Sequence, residues 1–323
     1  MKIVVVGAGA VGQVYGRHLQ LGGADVSLLV KPDHLDEARR GFDLYPLNRR
    51  RPRSEPVRFE APVFDSIAAA MSDRPDAVVL CVSSTALRAG NWLDELASEL
   101  GDATLVVLQP SPGDLDHVRA RVAAEQVVAG LIAIVSYPGP LPGEELPSPG
   151  TVYWFPPLGR SLFSGARAEP LVDRFRAGGL PAKRVNDLTA TQAHGAAVLQ
   201  TLVIALEIAG WSFNALRRDR ELFHLAHAGA TEAMGALEPH LGVRPPLTMR
   251  LARPLPLRLG LGLGTRAAPF DLEGYLHLHF EKVGDQTRLW LDDVRTIAAE
   301  AEIPAPALAE LARRLDRGRD HGG

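Results

Sequence analysis

Lys2-Ile3-Val4-Val5-Val6-Gly7-Ala8-Gly9-Ala10-Val11-Gly12 opens the chain, and its reading decides the fold. Residues 2–6 form a β-branched apolar run that stops at glycine, the composition of a strand buried on both faces of a parallel sheet. The glycines then match G-x-G-x-x-G directly after a strand and directly before a helical pattern. In that setting the first glycine permits a tight turn, the second lets the backbone approach a pyrophosphate, and the third lets the helix pack close to the strand. The helix N-terminus favours the anion. Gly7, Gly9, Ala10, Val11 and Gly12 are therefore the expected cofactor-binding residues.

Outward from this motif, further apolar runs at residues 24–30, 76–82, 103–108 and 127–135 alternate with helical patterns such as 11–21 and 92–100. Strands separated by helices imply βαβ units, so the expected fold is α/β: a Rossmann-type, doubly wound parallel sheet followed by an all-helical domain. Between residues 138 and 157 the composition turns proline-rich, with room for one edge strand at 151–155. From residue 187 the pattern changes to long helices, expected at 188–211, 219–237, 272–301 and 305–317. The first is apolar, but Gln192, His194, Gln200 and Glu207 interrupt it, which predicts a buried core helix rather than a membrane span. The expected domains are 1–180, binding the cofactor, and 181–323, helical, for substrate and dimerisation.

The composition agrees with a soluble two-domain chain: 323 residues, 46% hydrophobic and 23% charged. With 35 basic against 38 acidic residues the net charge is −3, which argues against nucleic-acid or membrane partners and for a small-molecule one. Cys81 is the single cysteine, and the start shows no charged n-region with a cleavage site, so a cytoplasmic protein is expected. Lysine is scarce: Lys2, Lys31, Lys183 and Lys282 are the four, and all other basic residues are arginine.

At the end of the second predicted strand, NAD-binding versions of the motif place an acidic residue for the ribose 2′-hydroxyl. Here the chain reads Leu29-Val30-Lys31-Pro32. A cation there pairs with a 2′-phosphate, so NADP is favoured over NAD, with Asp33 and Asp36 left as ribose contacts. The basic run Arg49-Arg50-Arg51-Pro52-Arg53 reads as a solvated loop or a phosphate clamp.

Taken together, Lys2 to Gly16, the second strand ending at Lys31, the strand at 76–82, and the helical half with Arg220-Glu221-Leu222-Phe223 and Glu302-Ile303-Pro304-Ala305-Pro306 resemble the ketopantoate reductase (2-dehydropantoate 2-reductase) family. The resemblance implies a Rossmann domain, a helical C-terminal domain, NADPH, and hydride delivery to a 2-oxo acid in the cleft between domains. On the same resemblance Val82, Ser83 and Gln109 join the cofactor-binding set. The family's catalytic lysine, however, falls on His194, its helix asparagines on Val198 and Leu202, and its lysine after the strand on Ser83. Gln109-Pro110-Ser111 replaces an asparagine-glycine, while the glutamate and serine fall on Gln286 and Gly274. These replacements turn the expectation away from ketopantoate itself.

Hydride transfer to a carbonyl or imine needs a group to neutralise the charge that builds on oxygen or nitrogen. Histidine can do so near neutral pH. His194 is the first candidate, with a hydrogen-bonded histidine filling a buried helix face as its alternative. A second set, Tyr275, His279, Lys282 and Gln286, is spaced 4, 3 and 4 apart and would share one face of a single helix. The expected catalytic residues are thus His194, Lys282 and Gln286. Residues 249–270, rich in leucine with Arg250, Arg253 and Arg258, are expected to line a substrate pocket or a subunit interface. No metal-ligand spacing is present. The expected function is an NADPH-dependent reductase of a carbonyl or imine, cytoplasmic and homodimeric. The alternatives are an NADP-binding protein without redox turnover and an enzyme using the cofactor structurally.

Overall fold

A computed structural model of the protein describes residues 1–48, 55–250, 268–282 and 284–320, with backbone alone at 190–193, 248, 250, 282 and 318–320. The chain divides into two compact units, Met1–Leu188 and Thr189–Gly323. The division falls after Leu188 rather than at residue 180, so the strand at 182–184 lies in the first unit.

The first unit is built on an eight-stranded sheet. Its strands are β1 (Lys2–Val6), β2 (Asp25–Leu29), β5 (Val63–Phe64), β6 (Ala77–Leu80), β7 (Thr104–Val107), β8 (Val127–Leu131), β11 (Ser161–Ser164) and β12 (Ala182–Arg184). They lie in the order β12-β11-β8-β7-β6-β1-β2-β5. The pairs from β5 through β2, β1, β6 and β7 to β8 are all parallel, and β11 joins β8 antiparallel. The order β5-β2-β1-β6-β7-β8 is that of the Rossmann fold, with its topological switch between β1 and β6.

Alternate residues of each strand explain why the runs are continuously apolar. Ile3, Val5, Val26, Leu28, Val79 and Val106 face one layer with Val14, Tyr15 and Leu19 of the helix Ala10–Leu21 and Leu171, Val172 and Phe175 of the helix Ala168–Ala177. Val4, Val6, Leu29, Val78, Leu80 and Val107 face the other, with Leu93 and Leu96 of the helix Trp92–Glu99 and Val118 of the helix Asp114–Arg119. A strand covered on both faces has no polar side to show.

The proline-rich stretch differs from expectation. It contributes to a second, four-stranded sheet ordered β4-β3-β10-β9, made of β3 (Phe42–Pro46), β4 (Val57–Phe59), β9 (Val135–Gly139) and β10 (Gly150–Trp154). The strand expected at an edge, β10, is interior, parallel to β3 and antiparallel to β9. Pro138, which lacks a backbone donor, sits on the edge strand β9 opposite Thr151, where the ladder tolerates it. The apolar run at 127–135 is shared between two sheets, since β8 ends at Leu131 and β9 starts at Val135.

The second unit is helical: Leu188–Ile208, Phe213–Arg218, Arg220–Leu241, Leu247–Arg250, Leu272–Lys282, Gly284–Glu300 and Pro306–Asp320. Asp219 caps the 220–241 helix by accepting the Leu222 N–H at 2.9 Å, and Gly242, at φ 66°, ends it in the left-handed conformation that glycine adopts without strain. Ala226, Ala233 and Leu237 from that helix meet Trp290 and Val294 of the 284–300 helix and Leu308 and Leu311 of the last helix in one core. Glu232 caps the last helix from a distance, accepting the N–H groups of Ala307 and Leu308 at 3.0 and 2.9 Å. Among the described residues no helix is long and apolar enough to cross a membrane.

Candidate functional site: the glycine loop and the strand ends around it

The turn from β1 into the helix Ala10–Leu21 is fixed by its glycines. Gly7 has φ 94°, and its N–H donates to the Leu29 carbonyl at 2.9 Å, which joins the turn to the end of β2. A Cβ at Gly7 would lie 2.8 Å from the Cys81 carbonyl oxygen and 3.1 Å from Val82 Cγ1, and one at Gly12 would lie 2.0 Å from the Gly7 carbonyl oxygen. Both positions are closed to any side chain. Gly9 is the opposite case, because a Cβ there meets nothing within 4 Å among the described residues. Gly9 also begins the helix, and no side chain among the described residues caps its first turn, where the helix dipole favours an anion. A close-packed turn with an open cradle at its middle glycine fits the pyrophosphate of a dinucleotide.

Gln13 steadies this loop. Its Nε2 donates to the Ala8 carbonyl at 2.8 Å, while its Oε1 accepts from Thr151 Oγ1 of β10 at 2.6 Å. The second sheet is thereby tied to the glycine loop. Farther along the same helix, His18 donates from Nδ1 to the Gly178 carbonyl at 2.7 Å and accepts from the Tyr153 hydroxyl at Nε2, 3.3 Å away, which fixes the tautomer. Burial pushes the Cys81 thiol up to about 12, so the cysteine beneath the loop stays protonated and is no nucleophile.

Lys31 is exposed just beyond β2, where its carbonyl accepts the His34 N–H at 2.9 Å and starts a short turn. The basic run 49–53 lies outside the described residues. Val82 is half-buried beside Gly7. Ser83 caps the short helix Ser84–Arg88, accepting the Ala86 N–H at 3.1 Å. Gln109, expected to touch the cofactor, is 9% exposed and its amide is turned inward. Nε2 donates to the carbonyls of Leu80 and Val82 at 3.0 and 2.7 Å, and Oε1 accepts the Leu108 N–H at 3.1 Å. Its side chain joins the ends of β6 and β7.

A neighbouring cluster was not foreseen from the sequence. Asp114 is wholly buried and accepts from Ser84 Oγ at 2.7 Å, from the Ser111 N–H at 2.9 Å and from Arg88 Nε at 2.9 Å. Burial raises its carboxyl above the ordinary carboxylate range, and Ser84, Arg88 and the Ser111 amide pull it partly back. The local half of this cluster is the contact from the Asp114 carboxylate back to the Ser111 N–H, three residues earlier. Nothing local in the sequence points from Asp114 to Ser84 or Arg88.

In the helical unit the expected proton donors are placed less compactly. His194 is 3% exposed, and Nε2 donates to the Val243 carbonyl at 2.8 Å, just past the end of the 220–241 helix. Its Nδ1 is buried and has no hydrogen-bond partner among the described residues. The polar stripe expected on one helix falls on two described helices, Leu272–Lys282 and Gly284–Glu300, with residue 283 outside the described residues. Within the first helix, Tyr275 and His279 do share a face, their ring centroids 5.5 Å apart. Gln286 is half-buried on the second. The Lys282 side chain lies outside the described residues, as do residues 251–267 and with them Arg253 and Arg258. Among the described residues no cluster of three or more metal-ligating side chains occurs.

Comparison with known proteins bears on this arrangement. No curated protein matches the chain. Among solved structures, the chain is similar over 99% of both lengths to a PanE/ApbA family ketopantoate reductase from Ralstonia eutropha JMP134, at 18% identity and a TM-score of 0.73. It is similar to a 2-dehydropantoate 2-reductase from Geobacter metallireducens GS-15 at 18% identity and TM-score 0.71, over 98% of this chain and 99% of that one. It is also similar to D-mandelate dehydrogenase in a ternary structure with NADH and anilino(oxo)acetate, at 15% identity and TM-score 0.73 over 99% of both. At such identities the likeness is one of fold. In sequence, residues 3–140, a stretch that holds the whole glycine loop and the strand ends around it, match the model of the ketopantoate reductase PanE/ApbA family.

Proposed function

We propose that this protein is an NADPH-dependent reductase that transfers a hydride to the carbonyl or imine carbon of a small organic substrate. The observation that carries the reading is the glycine loop: Gly7 and Gly12 are closed by their own neighbours, while Gly9 opens onto free space at an uncapped helix N-terminus. The family match over residues 3–140 and the reductases and dehydrogenase of like fold support the same reading.

In this reading a bound nicotinamide dinucleotide supplies the hydride. The backbone at Gly7, Gly9, Ala10, Val11 and Gly12 holds the pyrophosphate, and exposed Lys31 pairs with the 2′-phosphate. Val82 and Ser83 border the loop, and Gln109 keeps the ends of β6 and β7 together. The proton for the developing alkoxide or amine comes from Lys282, supported by Gln286, or from His194. For His194, the donation of Nε2–H to the Val243 carbonyl supports Nδ1 as the nitrogen that exchanges a proton. A neutral ring in this tautomer is a base at Nδ1, suited to take the hydroxyl proton in the oxidising direction. It donates in the reducing direction only when doubly protonated. The fixing of His194 to Val243 also favours a second reading, a dinucleotide-binding protein without redox turnover.

Fluorescence titration with NADPH and NADH, followed by a screen of 2-oxo acids, ketones and cyclic imines for NADPH oxidation, separates these readings. Tighter binding of NADPH with turnover of one substrate class is expected. Absent binding overturns the cofactor reading, equal binding of the two dinucleotides overturns the role of Lys31, and binding without any turnover favours the second reading.

A further inference from the structure

We propose that Asp114 is a positioning residue: it holds the loops after β6 and β7 together as one platform for the nicotinamide half of the dinucleotide, without touching that half itself. The proposal rests on the cofactor reading above. In a doubly wound sheet the dinucleotide spans the topological switch point, which here lies between β1 and β6. The glycine loop and Lys31, after β1 and β2, serve the adenosine side. The ends of β6 and β7 are left for the other side.

Two links join those ends. Asp114, on the β7 side, accepts from Ser84 Oγ and Arg88 Nε on the β6 side and from the Ser111 N–H of its own loop. Gln109, also on the β7 side, donates to the carbonyls of Leu80 and Val82. The platform abuts the glycine loop, because a Cβ on Gly7 would lie 3.1 Å from Val82 Cγ1 and 2.8 Å from the Cys81 carbonyl oxygen. A shift of residues 81–84 is therefore felt at Gly7. A buried carboxylate is a costly way to hold two loops, since an apolar pair of similar volume stabilises as well. What it adds is direction: one carboxylate with three donors allows one relative placement of the loops.

The test compares two ligands on the full-length protein: NADPH and 2′-phospho-ADP-ribose, which keeps the pyrophosphate and the adenosine side but lacks the nicotinamide. Calorimetric Kd values are measured for wild type, Asp114→Asn and Ser84→Ala, with melting temperatures alongside. In Asp114→Asn the Kd for NADPH is expected to rise about tenfold, the size of one lost charge-assisted hydrogen bond, while that for the fragment stays within about twofold. Ser84→Ala shifts the same ratio by less, and it decides the matter if Asp114→Asn does not fold. A purely structural role weakens both ligands equally, and that result, or an unchanged ratio in both variants, overturns the proposal. Wild-type protein that binds the fragment and NADPH equally well overturns it while leaving the cofactor reading intact. Binding of neither ligand overturns both.

Discussion

In the proposed function the glycine loop and the helical unit would each hold a reactant, by different means. At the loop, the backbone does the work. Gly7 and Gly12 are defined by distances to carbonyl oxygens, Gly9 by the space beside it, and the anion-binding groups are amides that every residue possesses. In the helical unit the expected work falls to side chains, and each is engaged in its own way: His194 with Val243, and Tyr275 with the rings of Phe270 and His279. A site written in backbone depends on the few residues that permit a close approach. A site written in side chains depends on which helix faces meet, and that is a property of the whole unit.

Three substitutions sharpen this contrast. The largest effect is expected for Gly12→Ala, whose Cβ would fall 2.0 Å from the Gly7 carbonyl oxygen. Separation of helix and strand should cost on the order of 3 kcal/mol and abolish dinucleotide binding, read by chemical denaturation and by NADPH titration. A variant that folds and binds as wild type would mean that the loop is not built by close approach. Next, His194→Ala removes a buried ring and leaves the Val243 carbonyl without this donor, so a loss of about 2 kcal/mol is expected. If Nδ1 exchanges the proton, kcat also falls by about a hundredfold at unchanged NADPH affinity. An unaffected rate moves the proton to Lys282.

The smallest effect concerns pH. Because the folded-state pKa of Asp114 is raised above its ordinary 3.8, the folded protein takes up this proton at higher pH than the unfolded chain. The stability that Asp114 contributes is thus fully present below 3.8 and is lost as pH rises through the folded-state value. The charges nearby are Arg88, paired with it, and then Arg121, Asp94 and His117, the last held below its ordinary value by burial, Arg121 and Arg88. Denaturation of wild type and Asp114→Asn should therefore show the difference moving in favour of wild type as pH is lowered toward 3.8. A difference that is flat, or that moves the other way, would contradict the assignment of burial as the dominant cause.

How much of this was legible depends on how local the cause is. β1, the glycine turn and the helix after it lie within some twenty consecutive residues, and periodicity with three glycines suffices to read them. Strands β2, β6, β7 and β8 were visible because their apolar runs are nearly unbroken, whereas β5, two half-buried residues at the sheet's edge, was not. The second sheet was not visible. It assembles 42–46, 57–59, 135–139 and 150–154, short segments far apart in sequence, one carrying proline at an edge that only the completed sheet defines. Gln109 was found by its place after a strand, yet the direction of its amide is set by carbonyls about thirty residues earlier. Asp114 shows the same limit. The stripe of Tyr275, His279, Lys282 and Gln286 was counted along one helix, and periodicity holds for Tyr275 and His279 within the helix Leu272–Lys282.

The central claim is that the space beside Gly9 is where a dinucleotide lies, and Gly9→Ala tests it most directly. The backbone there is extended, φ −71° and ψ −178°, which alanine adopts freely, and beyond its chain neighbours its Cβ meets no atom of the described residues within 4 Å. Folding should be untouched, with an unchanged melting temperature, while the new methyl group occupies the approach of the pyrophosphate and raises the Kd for NADPH by at least about tenfold. Unchanged NADPH affinity in a normally folded Gly9→Ala protein would contradict the account.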